Sequence, residues 1–127
     1  MNAHEVGQQL VALCREGKNL EAVDALYAED VVSIEAIEPP GPQFARETRG
    51  RDAVRAKNAW WLDSHEVHGG EVRGPFPHGE RFAVLFQHEV TPTAGPMAGQ
   101  RMHMEEVGLY TVEGGKITRE EFFYAMG

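Results

Sequence analysis

Apolar residues recur along this chain at two periods, helical in the first half and alternating in the second. Val6, Leu10, Leu13 and Cys14 fall three or four residues apart and line one side of a helix. Asn2 with Glu5 three residues on reads as its capping box, and Gly17 ends it. A second helix, capped by Asn19, carries the stripe Leu20, Val23, Leu26 and Tyr27. After Glu29 and Asp30 the run VVSIEAI is β-branched and alternating, which predicts a strand. The prolines and glycine of EPPGPQ then predict a loop. A third helix is expected over about 51–64, with Ala53, Val54, Trp60 and Trp61 on its buried side.

From His65 onward the pattern is that of strands. A weak one over 65–74 contains Gly69 and Gly70, a candidate bulge, and GPFPHGE is expected to turn. Strong strands follow over 81–91 and 102–112, linked by PTAGPMAGQ, and the Gly114-Gly115 pair predicts a tight hairpin into a last strand over 116–124. The order α-α-β-α-β-β-β-β predicts an α+β domain, a mostly antiparallel sheet covered on one face by helices. A single domain over 1–127 is expected, because the chain is of ordinary domain length.

Alternation also sorts side chains by face. On the strand from Arg81, the row Phe82, Val84, Phe86, His88, Val90 must face the helices, which makes His88 its polar exception. On the strand from Met102 both rows are mixed: Met102, Met104, Glu106, Gly108, Tyr110 and Val112 against His103, Glu105, Val107, Leu109 and Thr111. Such a strand suits a ligand cavity on one side and a subunit interface on the other. On the first strand, periodicity leaves open whether the Ser33–Glu35 row or the Val32–Ile34 row points inward.

Composition narrows the function. Hydrophobic residues are 42% and charged residues 25% of the chain, which excludes a disordered or fibrous protein. The net charge of −8 argues against a nucleic-acid or anionic-membrane binder, since phosphates call for a basic surplus. No run approaches the ~20 apolar residues of a membrane span. The first residues show no secretory signal, and the lone Cys14 cannot form an internal disulfide, so a cytoplasmic protein is expected.

Three segments resemble one family: NLEAVDALYAEDVVSIE, GRDAVRAKNAWW and LYTVEGGKITREEFFY. They are similar to the nuclear transport factor 2-like superfamily, and within it to SnoaL-like polyketide cyclases and ketosteroid isomerase-like proteins. The resemblance covers roughly Val6 to Tyr124. It implies a cone-shaped α+β barrel, a curved sheet wrapped round three helices and a conical pocket, often dimeric through the sheet's outer face. Because this fold hosts many chemistries, it specifies architecture better than activity.

The resemblance places Glu35 where the isomerases carry their proton-shuttling base, and Glu106 at their protonated oxyanion-hole acid. It places His88 and Tyr124 in the cavity lining, with His88 as a third catalytic candidate beside the two glutamates. It implies a substrate pocket of Trp60, Phe82, Val84, Phe86, Met104, Tyr110, Phe122 and Tyr124, and no cofactor. Two positions depart from the isomerase pattern: its oxyanion tyrosine falls at Val11 and a supporting tyrosine at Asn58. Steroid isomerisation itself is therefore not implied.

The chemistry can be argued independently. Two carboxyls in one apolar pocket cannot both ionise cheaply, so their pKa values should separate. The ionised one can remove a proton beside a carbonyl, and the neutral one can donate a hydrogen bond to the enolate. The expected partner is thus a small apolar or carbonyl-containing molecule, in a homodimer built on the outer sheet face. A non-catalytic binding protein that kept the pocket, or a dimerisation module with a filled pocket, would carry much of the same pattern.

Each candidate also has a plainer reading. Glu35 at a strand end can simply reach solvent, Glu106 can pair with Arg73 or Arg119, and His88 can be a satisfied core histidine. Tyr110, Tyr124, Trp60 and Trp61 can be amphipathic filler. His65 and His68 in HEVH lack the i, i+4 helical spacing of zinc proteases, so no metal is expected. The basic run Arg46, Arg49, Arg51, Arg55, Lys57 is interleaved with Glu47 and Asp52 and reads as a solvated helix start, with anion binding as the alternative.

Overall fold

The structure, a computed structural model, describes residues 1–39 and 45–125. Helix α1 (Ala3–Arg15) opens on the expected capping box: the Asn2 side chain accepts from the Glu5 amide at 2.9 Å, and Glu5 accepts from the Asn2 amide at 3.1 Å. Its buried side is Ala3, Val6, Gly7, Leu10 and Val11. Gly7 matters because Pro75, from the strand over His65–His78, packs against it. A Cβ there would lie 2.7 Å from the proline ring.

Helix α2 (Asn19–Leu26) starts one residue earlier than expected, with Lys18 at the cap position, and Asn19 points back to the Cys14 sulfur. Tyr27, read from sequence as the end of the helical stripe, instead begins strand β1 (Tyr27–Ile34). The reason is tertiary: Tyr27 pairs with Ile117 across the sheet. A three-residue strand β2 (Glu47–Arg49), too short to show in the pattern, pairs with β1. Residues 40–43 of the loop expected over 38–43 lie outside the described residues.

Helix α3 (Arg51–Asp63) follows Gly50, whose φ of +93° suits glycine alone. Its buried positions are Val54 and Lys57, with Asn58 and Trp61 half-buried beside them, a helical stripe at i, i+3, i+4 and i+7. Ala53 and Trp60 are exposed rather than buried, because they lie off that stripe.

Strands β3 (His65–His78), β4 (Arg81–Pro92), β5 (Met102–Glu113) and β6 (Lys116–Phe123) complete one open sheet in the order β2-β1-β6-β5-β4-β3. All neighbours are antiparallel except β1 and β6. The bulge expected at Gly69 and Gly70 is present as a register shift after Val67. GPFPHGE is not wholly a turn: β3 runs on through Pro75 and Pro77 to His78. Prolines are tolerated there because β3 is an edge strand. The helices cover one face, with Phe82, Val84, Phe86 and Val90 of β4 buried beneath them. No described helix is long and apolar enough to cross a membrane.

Candidate active site

Register decides which polar groups share the helix-covered face. Glu106 is paired with Phe86, Met104 with His88, and Tyr110 with Phe82, so the even row of β5 points inward. Tyr110 is also paired with Glu120 of β6, and Glu120 with Ser33 of β1. The tie on β1 is thereby resolved in favour of Val31 and Ser33, both fully buried, and Glu35 follows on the same side.

These residues form one continuous polar network. At its buried end Glu120, 1% exposed, accepts hydrogen bonds from the Tyr27 hydroxyl and from Ser33 Oγ, the latter at 2.8 Å. Lys57 descends from α3 and donates to Ser33 Oγ at 2.5 Å and to Glu35 Oε1 at 3.2 Å. The Tyr124 hydroxyl donates to the other Glu35 oxygen at 3.1 Å. The lysine ammonium also lies 5.6 Å above the Phe122 ring. Exposure rises along this path, from Glu120 to a Glu35 side chain 18% exposed, so Glu35 is the end that meets solvent. Every buried side-chain nitrogen and oxygen among the described residues has a partner.

Glu106 stands beside this network and accepts no hydrogen bond among the described residues. Burial, reinforced by the charges of Glu35 and Glu120 and partly offset by Lys57, pushes its carboxyl up to about 7. Burial likewise raises Glu120, against the opposing pull of Lys57, Tyr27 and Ser33. Arg73 and Arg119, the arginines that could have neutralised Glu106, pair instead with Glu71 and Glu121 on their own strands.

His88 lies between aromatic rings, 5.5 Å from Trp61 and 6.1 Å from Phe86, and burial lowers its pKa. Trp60, expected in the pocket lining, is 42% exposed, and the tryptophan that reaches His88 is Trp61. Phe82, Val84 and Tyr110 are core: Phe82 stacks on Tyr110 at 5.0 Å beneath the network. Phe122 meets Tyr110 edge-on, and Met104 is half-buried. His65 stacks on Trp61 while His68 bonds Thr91, so the HEVH rings diverge. No group of three or more His, Cys, Asp or Glu among the described residues could hold a metal.

Sequence reasoning missed Lys57 as a site residue by reading it with its basic neighbours. The arginines do behave as a solvated face, Arg49 on Glu47, Arg51 near Glu29 and Arg55 on Asp24. Lys57 differs because it lies three residues after Val54 and four before Trp61, on the inward stripe. Glu120 and Ser33 were also missed. The alternation of Glu120 with Phe122 and Tyr124 was the available signal.

Open volumes on the surface, among the described residues, include a groove of about 380 Å³ bordered by Leu85, His103, Glu105, Glu106, Val107 and Phe123, and one of about 450 Å³ beside Arg49 and Gly50. The first belongs to the outer sheet face, where Val107 and Phe123 stand exposed.

A family model, the SnoaL-like domain, matches residues 1–124. A protein from Mesorhizobium loti, provisionally named a SnoaL-like polyketide cyclase [carbohydrate phosphatase], is 43% identical over 98% of this chain and 100% of its own, with a TM-score of 0.88. A provisionally named polyketide cyclase from Pseudomonas putida is 22% identical over 99% of this chain and 93% of its own, with a TM-score of 0.72. A Catenulispora acidiphila protein of ketosteroid isomerase-like fold, solved with trimethylamine, is 15% identical over 96% of this chain and 86% of its own, with a TM-score of 0.68. The last two likenesses concern the fold alone. No curated protein matches the chain.

Proposed function

The chain belongs to the SnoaL-like domain family, and on that premise we propose that it is a cofactor-free acid–base enzyme acting on a small carbonyl-containing molecule. In this reading Glu35 removes a proton adjacent to the carbonyl, and Glu106, in the protonated form that its raised value of about 7 favours below that pH, donates a hydrogen bond to the enolate oxygen. Reprotonation at another carbon would complete an isomerisation, and attack of the enolate carbon on a second carbonyl would close a ring. The observation that carries the reading is the inward-facing carboxyl pair, one member held by Lys57 and Tyr124, the other without a hydrogen bond among the described residues and raised to about 7.

Trp61, Phe86, His88 and Met104 would flank the substrate, and a neutral His88 keeps that wall uncharged. The test is solvent deuterium exchange into the α-position of simple ketones, followed by NMR. Wild type should exceed Glu35→Gln by roughly 100- to 10,000-fold, the usual contribution of a positioned base. Equal rates in the two proteins would remove the enzyme reading.

A second reading, a non-catalytic small-ligand binder, is favoured by one observation: Val11, at the position of the isomerases' oxyanion tyrosine, is buried in the apolar core and offers no donor. Under either reading we place the protein in the cytoplasm, where the free thiol of Cys14 is stable, and as a homodimer. The exposed Val107 and Phe123 beside the outer groove support that assembly. A monomer in sedimentation at micromolar protein would refute it.

A further inference from the structure

Lysine is rarely buried without a reason, since its ammonium must replace a full shell of water. Lys57 is 8% exposed, and its polar contacts are specific. One donor goes to Ser33 Oγ and one to Glu35 Oε1, while the Phe122 ring lies beneath the ammonium. Ser33 in turn donates a hydrogen bond to the fully buried Glu120, which Tyr27 holds from the other side. The lysine therefore cannot swing away from Glu35 without breaking a satisfied buried network.

We propose that Lys57 is the positioning residue of this site, clamping the Glu35 carboxylate in one orientation, with Ser33 and Glu120 as the anchor that fixes the lysine. The proposal rests on the reading of Glu35 as the base and deepens it. Glu35 lies just past the end of β1, where a free glutamate would sample several rotamers. Lys57 from α3 takes one of its oxygens and Tyr124, just past β6, takes the other, so three elements converge on one carboxylate. A base held in this way has less orientation to lose when it reacts. The groups facing Lys57 are Ser33 and Glu35 from the β1 side, Glu106 from β5, and Glu120, Phe122 and Tyr124 from the β6 side. Its one positive charge thus sits among three carboxyls, and removing it alters all of them.

The test uses the full chain with glutamate labelled at the side-chain carbons, as wild type, Lys57→Met and Ser33→Ala. NMR follows the Glu35 methylene shifts and the Glu106 carboxyl titration, and neither needs activity. In Lys57→Met the Glu35 methylenes should collapse to averaged shifts. The Glu106 midpoint should rise by roughly one unit above wild type, because a nearby cation has been lost. Ser33→Ala keeps the cation but frees it from its anchor, so Glu35 should loosen while Glu106 moves less. If Lys57→Met does not fold, Ser33→Ala carries the test alone. Unchanged Glu35 shifts in a folded Lys57→Met, or in Ser33→Ala should the first not fold, would overturn the proposal.

The ketone exchange assay separates this claim from the functional one. Loosened Glu35 without exchange in wild type would uphold the clamp and remove the base. Exchange that survives Lys57→Met with an unaltered pH profile would uphold the base and remove the clamp.

Discussion

Replacing Glu106 by Gln should make the protein more stable above neutral pH and leave it little changed in mild acid. The argument is a linkage between protons and folding. In the unfolded chain the Glu106 carboxyl has its ordinary value of 4.5, and in the fold burial raises it to about 7. Between those limits the native state binds more protons than the unfolded state, so its stability falls as pH rises from 4.5 to 7 and is level above that. At 1.36 kcal/mol per unit the full loss is about 3 kcal/mol, and water at this half-buried side chain reduces it to roughly 1–3 kcal/mol. Gln fills the same volume and has no proton to lose, so the variant escapes this loss. Urea denaturation at pH 5 and pH 8 measures the difference directly. At typical slopes of ~1–3 kcal/mol per molar urea, the variant's midpoint should gain on the order of 1 M over wild type between the two conditions. Glu120 is raised in the same direction, but it is common to both proteins and largely cancels. A stability difference between variant and wild type that is the same at both pH values would refute the reasoning.

Two further outcomes follow from packing and burial. Gly108→Ala should destabilise by roughly 1–3 kcal/mol in urea or thermal melts, because its Cβ would lie 2.7 Å from the Tyr110 ring, which is wedged between Phe82 and Phe122. Cys14, half-buried and pushed up to about 12 by burial and by Glu120, should react with a disulfide reagent at pH 8 far more slowly than in the urea-unfolded chain; equal labelling rates in the native and unfolded protein would contradict that raised value.

Much of the architecture could be read from residue pattern alone. The Asn2–Glu5 cap, the inward row of β4 and the Gly-Gly hairpin are local features, each specified by neighbours within a few residues, and all three are present. The family resemblance carried by three segments likewise led to the SnoaL-like domain. It pointed to Glu35 and Glu106 as the carboxyls of interest, and both turn out to face the helix-covered side of the sheet.

Pattern failed where distant segments decide. Tyr27 leaves the helical stripe because Ile117, ninety residues away in the chain, offers it a strand partner. Gly74 to His78 of GPFPHGE extend as a strand because they lie at a sheet edge, where missing proline donors cost nothing. Lys57 looked like one more member of a basic run, since composition cannot distinguish a lysine on the solvent side from one turned inward. Only the packing of α3 against β1 puts its ammonium beside Ser33 and Glu35. Glu120 is the same case: an ordinary charged residue by type, it is fully buried because Tyr27 and Ser33 of β1 and Lys57 of α3 arrive from segments distant in the chain. Local pattern specifies the periods and the turns. Which charge is stripped of water, and so which carboxyl becomes chemically unusual, depends on contacts between segments far apart in the chain.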